Sequence, residues 1–237
     1  MLKITKILYS AYILFMVNAS FAVARMGATI ASFFHFSTTR SFQTAGHLWG
    51  RFVVFMSWSR TEIIGAENIP RDVPLIFACN HQSIYDVVLL QALIPVRFRF
   101  VVSTELFRLP LYGWTFKKSG YIPLDRKAPL SAYKSLKMTL EVLRSGERVM
   151  IFPEGTRSRT GKLGEFKSGS LLPAQRSGAP VIPLAISGSF NVFPPKTLLV
   201  TRHPVRLSVG KPVYIRPEDD LKEKTEEIRN TIAGMLD

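Results

Sequence analysis

Short apolar runs alternate with helix-like segments after Ser59, and this alternation restricts the fold more than any other feature. The short runs predict strands at residues 75–79, 98–102, 121–124, 149–152 and 181–187, with late strands at 205–209 and 213–215. The longer segments predict helices at residues 83–94, 106–118 with a break near Pro110, 129–145, and 218–236. The pattern predicts an α/β fold in which a mixed sheet is flanked by helices.

The first 58 residues contain three weakly polar stretches, at residues 7–24, 26–39 and 42–58. Residues 7–24 carry no charge and would span about 27 Å as a helix, which is marginal for crossing a bilayer. Apolar side chains recur at helical spacing in residues 42–58. These stretches predict an N-terminal helical membrane anchor at 1–58, either one spanning helix or a helix pair lying in one leaflet, and a second domain at 59–237.

The charge of the chain is unevenly distributed. Residues 1–60 contain six basic residues and no acidic one, and the whole chain carries a formal net charge of +14. A basic body behind an apolar leader is suited to an anionic membrane surface and to phosphorylated substrates. Nucleic acid is not expected as a partner, because no zinc-finger spacing or aromatic single-strand-binding signature is present. The single cysteine, Cys79, excludes an intrachain disulfide.

The first motif with candidate catalytic residues is Asn-His-Gln-Ser-Ile-Tyr-Asp at residues 80–86. His81 and Asp86 would not share a face if both were helical, so they can meet only if His81 lies on a loop and Asp86 in the first helical turn. Ser83 as the N-cap gives that arrangement, and Ser83 with Asp86 also forms a capping-box pattern. Asp86 is therefore either a capping carboxylate alone or also the partner of His81, with a different oxygen serving each role.

The second motif is Phe-Pro-Glu-Gly-Thr-Arg-Ser at residues 152–158, directly after a predicted buried strand. Its first four residues fit a type I turn. Arg157 would then lie on a loop, where its planar guanidinium could bind phosphate in a bidentate way, or where it could simply pair with Glu154. Arg126 is a second candidate cation, although Asp125 beside it could neutralise it.

With these two motifs, the chain resembles the glycerolipid acyltransferases, and within them the 1-acylglycerol-3-phosphate (lysophosphatidic acid) acyltransferases. The resemblance covers roughly residues 63–213. It rests on four blocks in the family's order, namely 80–86, 120–126 (Gly-Tyr-Ile-Pro-Leu-Asp-Arg), 152–158 and 181–184 (Val-Ile-Pro-Leu). The chain departs from the family at Ser103-Thr104, where most members carry a basic residue before the Glu-Leu pair. Arg97, Arg99 and Arg108 are the candidates to replace that cation.

The resemblance implies the roles of the site residues. His81 is expected to act as the general base and Asp86 to orient its ring. Arg157 and Arg126 are expected to bind the acceptor phosphate, while Glu154, Gly155 and Thr156 shape the loop that presents Arg157. The 181–184 block has a supporting role.

The resemblance also implies the reaction and its partners. Residues 59–237 are expected to be an acyltransferase domain. This domain would move a fatty acyl group from acyl-CoA or acyl carrier protein to the sn-2 hydroxyl of lysophosphatidic acid. The expected product is phosphatidic acid. No metal or cofactor is expected, because no His, Cys or carboxylate set has ligand spacing. The catalytic domain is expected on the cytoplasmic face of a membrane.

Four alternatives stay open at this point. The acceptor could be another lysolipid, or the chain could be a catalytically silent lipid-binding module. Cys79 could form an acyl-enzyme, although a thiol at the end of an apolar strand is more typical of a core residue. Finally, Lys3, Lys6 and the Ala-Val-Ala of residues 22–24 resemble a cleavable secretory signal, which would separate the domain from a cytosolic acyl donor.

Overall fold

The sheet of this protein is built mainly from parallel strands, as seen in a computed structural model that describes residues 2–34, 36–125 and 128–236. The strands are β1 Thr61–Ile64, β2 Ile76–Cys79, β3 Arg99–Ser103, β4 Ile122–Leu124, β5 Val149–Ile151, β6 Val181–Ser187 and β7 Val205–Val209. Their order across the sheet is β1-β7-β6-β2-β5-β3-β4. Only the β6–β7 pair is antiparallel among these described strands, so the predicted mixed sheet is confirmed.

Helices cover both faces of the sheet. They are α1 Leu2–Phe33, α2 Thr38–Met56, α3 Tyr85–Leu93, α4 Gly113–Lys118, α5 Pro129–Arg144, α6 Leu172–Ser177, α7 Ser189–Val192 and α8 Leu221–Gly234. Successive residues of central β2 are fully buried and point to opposite faces. Phe77 and Cys79 pack with α3 residues such as Leu89, whereas Ile76 and Ala78 belong to the cluster that includes Ile228 of α8. Burial on both faces explains the uninterrupted apolar runs.

The element predictions differ from the structure in a few places. The helix predicted at 106–118 is interrupted, as expected near Pro110, into a 3₁₀ turn at Thr104–Arg108 and the short α4. β1 and α6 were not predicted, because each is short and lacks a clear period. The strand predicted at 213–215 is wrong: Val213 forms only an isolated antiparallel bridge with Val181.

The N-terminal stretches fold into two helices that form a hairpin. α1 runs without interruption past Arg25, whose guanidinium lies 4.5 Å from the ring centre of Trp114. This helix is long and apolar enough to cross a membrane. The hairpin is also packed on the body of the protein, since Ile13 of α1 and Val53 of α2 are buried in the same cluster as β2.

Gly50 sets how closely α2 approaches α3. A Cβ at Gly50 would lie 2.8 Å from the backbone N of Ala92 and 2.9 Å from the carbonyl oxygen of Val88, whereas a Cβ at Gly27 of α1 would meet nothing within 4 Å. We expect Gly50→Ala to lower the free energy of unfolding by about 1–3 kcal/mol, because overpacking forces the helices apart. Gly27→Ala is the matched control and should be neutral or slightly stabilising. Thermal unfolding of both variants checks this; an unchanged melting temperature for Gly50→Ala would contradict it.

Candidate active site

The two sequence motifs meet at the carboxyl ends of neighbouring parallel strands. Ala78 of β2 is paired with Ile151 of β5, so the residues that follow these strands leave the sheet side by side. His81 and Phe152 consequently stack, with ring centroids 3.9 Å apart and planes 14° apart. The imidazole is thus fixed on its face by an aromatic ring from the second motif.

Asp86 fixes the edge of the same imidazole. Its Oδ2 lies 2.8 Å from Nδ1 of His81, and its side chain is fully buried while that of His81 is 16% exposed. A carboxylate at Nδ1 selects the tautomer that carries its proton there, which leaves Nε2 with a lone pair. A ring held in this way can accept a proton at Nε2 and hand it on.

One oxygen of Asp86 serves both roles predicted for this carboxylate. Oδ2 also accepts the backbone N–H groups of Gln82 (2.7 Å) and Ser83 (2.9 Å), while the Ser83 hydroxyl accepts the N–H of Tyr85 (3.1 Å). One of the two capping-box contacts is therefore present, the N–H of Ser83 to Asp86, whereas the Ser83 hydroxyl accepts from Tyr85 and not from Asp86, and the helix has Ile84 and not Ser83 as its N-cap. The expectation that separate oxygens would cap and orient is wrong, because the loop folds all three donors onto Oδ2. Oδ1 is buried without a hydrogen-bond partner in the described part of the chain.

Glu154 joins the loop of the base to the arginine loop. Its Oε1 accepts the backbone N–H of His81 at 2.7 Å, and its Oε2 accepts the N–H of Gly164 at 3.0 Å. Burial raises the pKa of Glu154, and these two backbone donors partly offset that rise. In the described ranges Glu154 forms no ion pair with Arg157, so the simple pairing considered from sequence is wrong. Glu154 instead bridges the two loops through its two carboxylate oxygens, and its loop-shaping role stays a prediction.

Gly155 and Arg157 occupy the loop as the sequence predicts. The N–H of Gly155 donates to the Phe152 carbonyl at 2.9 Å, which closes the turn, and Gly155 has a φ of +76°. Thr156 and Arg157 are exposed beyond this turn. The N–H of Ser158 then donates to the carbonyl of His81 at 2.7 Å, which returns the loop to the base. Arg157 is therefore presented to solvent from a loop attached to His81 at both ends.

The loop of residues 154–165 surrounds a cleft of about 440 Å³, whose wall has three basic residues, Arg157, Arg159 and Lys162, and two acidic ones, Glu154 and Glu165. Because both oxygens of Glu154 accept backbone N–H groups, the basic residues outweigh the acidic ones, and this balance favours an anionic group in the cleft. Arg126, the other predicted phosphate ligand, lies outside the described residues. Its neighbour Asp125 follows β4, which ends at the same edge of the sheet.

The candidates to replace the missing cation at Ser103-Thr104 separate by position. β3 ends at Ser103 beside the end of β4, so Ser103 lies at the carboxyl ends of the strands, as His81 does. Arg99 is the first residue of β3, at the opposite end of the strand about 13 Å from Ser103, and Arg97 precedes it. Arg99 is also paired with Glu147. Of the three, only Arg108 follows the strand toward the site edge.

Cys79 occupies the position of a core residue. Its side chain is completely buried in β2, and burial raises the pKa of the thiol well above its usual value. A thiol that resists ionisation is a poor nucleophile. Within the described residues, no group of three or more His, Cys, Asp or Glu side chains is placed to bind a metal ion.

Three supporting residues were not assigned a role from sequence. Asn80 continues the β2–β6 pairing with its side chain, donating to the carbonyl of Ile186 (2.9 Å) and accepting its N–H (2.7 Å). Arg229 of α8 donates to the carbonyl of Gly164 at 3.0 Å, so Gly164 is held from both sides. A polar residue directly after an apolar strand was a usable signal for Asn80, but nothing in the sequence links Gly164 to Arg229.

The α/β sheet, the histidine oriented by Asp86 and the basic loop agree with the acyltransferase class that the four sequence blocks imply. The family model for acyltransferases matches residues 60–187, and the chain belongs to that family. It is 36% identical over 191 residues to a chloroplastic 1-acyl-sn-glycerol-3-phosphate acyltransferase of Brassica napus and 34% identical over 192 residues to one of Arabidopsis thaliana. These alignments cover 80% of this chain but 54% and 52% of those proteins, so the chain spans about half the length of these curated relatives.

A solved structure resembles the whole chain. The crystal structure of the 1-acyl-sn-glycerophosphate acyltransferase PlsC from Thermotoga maritima superposes with a TM-score of 0.85 at 25% identity, covering 100% of this chain and 97% of that one. The fold class predicted from the alternation of strands and helices and the family implied by the four sequence blocks are therefore confirmed.

Proposed function

We propose that this protein transfers a fatty acyl group from an acyl thioester to the sn-2 hydroxyl of lysophosphatidic acid, producing phosphatidic acid. The observation that carries the proposal is the attachment of the basic loop to His81 through Ser158 and Glu154. A base and an anion-binding loop joined in this way suit an acceptor that has both a hydroxyl and a phosphate. The names of the relatives support the same substrate class.

The proposed chemistry begins at Nε2 of His81. Nε2 takes the proton of the acceptor hydroxyl as its oxygen attacks the thioester carbonyl, forming a C–O bond and a tetrahedral intermediate. Asp86 stabilises the positive charge that the imidazole gains. Collapse of the intermediate breaks the C–S bond, and the departing sulfur takes the proton from Nε2. The histidine returns to its neutral form without a covalent enzyme intermediate.

The substrates follow from the charges at the edge of the sheet. Arg157 would bind the phosphate of the acceptor, joined by Arg126 on the same substrate, with Arg108 as a further cation on this edge. The acyl donor would be acyl-CoA or acyl carrier protein as a co-substrate. The reaction as written uses no metal or cofactor, and nucleic acid is no partner in it.

The hairpin would attach the protein to one leaflet of a membrane. Six large apolar side chains on α1 and α2 are more than 60% exposed, namely Ile4, Leu8, Phe15, Val23, Phe33 and Phe55. α1 is nevertheless fastened along the body of the protein: Asn18 accepts the hydroxyl of Tyr112 at 2.8 Å and Arg25 lies over Trp114. A helix held at several points along its length favours a hairpin lying in the interface over one that spans the bilayer. Because an acyl donor carried on coenzyme A or carrier protein is cytosolic, the catalytic domain, residues 59–237, would lie on the cytoplasmic face.

The test is an acyl-transfer assay on the purified full chain with one acyl thioester and a panel of lysolipids. We expect lysophosphatidic acid to be the preferred acceptor, with phosphatidic acid as the product detected by mass spectrometry. Preference for a zwitterionic acceptor would move the assignment to another lysolipid. Absence of transfer to every acceptor with both acyl-CoA and acyl carrier protein donors would favour a silent lipid-binding module.

A further inference from the structure

The connection between α7 and β7 is a closed loop with two leucines on its outside, here called the 193–200 loop. Thr201 closes it, because its N–H donates to the carbonyl of Val192 at 2.8 Å and its hydroxyl donates to the carbonyl of Asn191. Leu198 and Leu199 are 73% and 43% exposed. Two prolines at the start of the loop restrict its conformations, so little entropy is lost when the leucines meet a partner.

The 193–200 loop begins next to the base. The hydroxyl of Ser83 donates to the carbonyl of Phe193 at 2.8 Å, and Ser83 is one of the residues that hold Asp86. A surface that contacts the exposed leucines therefore lies beside the edge of the sheet where His81 acts.

The far end of the loop is fastened to α1. The N–H of Val200 donates to the hydroxyl of Ser10 at 2.8 Å. The guanidinium of Arg202 then lies between two rings, 5.1 Å from the centre of Tyr9 and 4.7 Å from that of Trp58. Trp58 has a positive φ of 48° and is 55% exposed. A bulky residue keeps such a backbone only where its surroundings hold it, so Trp58 is presented at the surface by this cluster.

We propose that the 193–200 loop of the catalytic domain and Trp58, which follows the hairpin, form a second lipid-binding surface that contacts an anionic bilayer beside the active site. This inference rests on the proposed function and names a contact outside the hairpin. Leucines suit the acyl boundary, and a tryptophan suits the headgroup level. Lys196 and Arg202, both exposed, supply charge complementary to lipid phosphates. The surface is continuous with α1 through Ser10 and Tyr9, and it brings lipid to the edge from which the acceptor must reach His81.

The test compares two variants of the full chain. Leu198→Gln combined with Leu199→Gln removes the apolar tip, and Tyr214→Gln is the control. Tyr214 is 62% exposed, between the values for Leu198 and Leu199, but it follows Val213, which pairs with the first residue of β6 at the opposite end of the sheet strands. We expect the double variant to sediment with phosphatidylcholine–phosphatidic acid vesicles at least tenfold more weakly than wild type. Tyr214→Gln should bind like wild type. Equal binding by the double variant and the control would overturn the proposal.

Acyl transfer with two forms of acceptor separates this surface from the proposed chemistry. The double variant should lose activity on lysophosphatidic acid held in vesicles and keep wild-type activity on a short-chain acceptor dissolved as monomers. Failure of wild type to acylate any acceptor would overturn the proposed function. The vesicle sedimentation result would still test whether the 193–200 loop and Trp58 bind lipid. Normal vesicle binding by the double variant, with activity lost only for a protein-borne acyl donor, would assign the leucines to a protein partner and overturn the lipid contact.

The charged part of the surface has its own measurement. Lys196→Gln should remove part of the extra binding that phosphatidic acid confers over pure phosphatidylcholine vesicles, and should leave binding to the neutral vesicles unchanged. An unchanged response to anionic lipid would remove Lys196 from the contact.

Discussion

Replacing His81 by alanine should lower acyl transfer by on the order of 10²–10⁴-fold, the usual contribution of a positioned general base. Asp86→Asn should also cost heavily, because a neutral amide cannot stabilise the imidazolium charge that develops during attack. Steady-state kinetics on the purified variants provide the measurement. The melting temperature should change little for His81→Ala, since Asp86 keeps its two backbone donors, Gln82 and Ser83.

Cys79→Ser is the matched control for this prediction. The thiol lies at the end of the same strand, two residues before the base, yet it is buried in the core. We expect the serine variant to keep most of the activity. An inactive Cys79→Ser protein beside an active His81→Ala protein would replace direct transfer with an acyl-enzyme mechanism.

Replacing Arg157 by alanine should change which acceptor is preferred. A phosphate monoester leaves its oxygens open to the guanidinium, whereas lysophosphatidylcholine has a diester and a cation that basic residues repel. Because Arg157 is exposed, we expect a loss at the low end for a charged contact, about 2 kcal/mol or roughly 30-fold in kcat/KM for lysophosphatidic acid. The loss for the diester should be much smaller.

Arg176→Ala controls for the lost charge. Arg176 is exposed in the last turn of α6, shortly before β6 begins at the opposite edge of the sheet. It should leave the ranking of acceptors unchanged. If Arg157→Ala weakened the monoester and the diester equally, Arg157 would not be the phosphate ligand.

The sequence was sufficient to predict the α/β class, the meeting of His81 with Asp86, and the turn at Gly155, because each depends on local pattern. A strand followed by a capped helix brings residues 81 and 86 together without help from the rest of the chain. The hydrogen bonds of the two carboxylate oxygens of Glu154 could not be predicted in the same way. Its partners are the backbone groups of His81 and Gly164, and backbone donors leave no signature in the residue types.

The packing of the α1–α2 hairpin on the body of the protein could not be predicted from the sequence either. Apolar residues in α1 and α2 have the same composition whether they face lipid or the protein core. The structure divides them, burying Ile13 and Val53 while leaving Phe15 and Phe55 exposed. Gly50 gave no clear signal either, since a glycine within a helix has meaning only when the opposing backbone is known.

The attachment of the basic loop to the base has a consequence for selectivity among positions on one substrate. Ser158 and Glu154 fix the separation between Nε2 of His81 and the guanidinium-bearing loop, so the two cannot adjust independently. For an acceptor held by its phosphate at Arg157, that fixed separation would select the hydroxyl that lies the right number of bonds from phosphorus. A hydroxyl one carbon farther along the glycerol, at sn-1, would lie too far from the imidazole. The protein would thus choose between regioisomers by length, without needing to contact the carbon that distinguishes them.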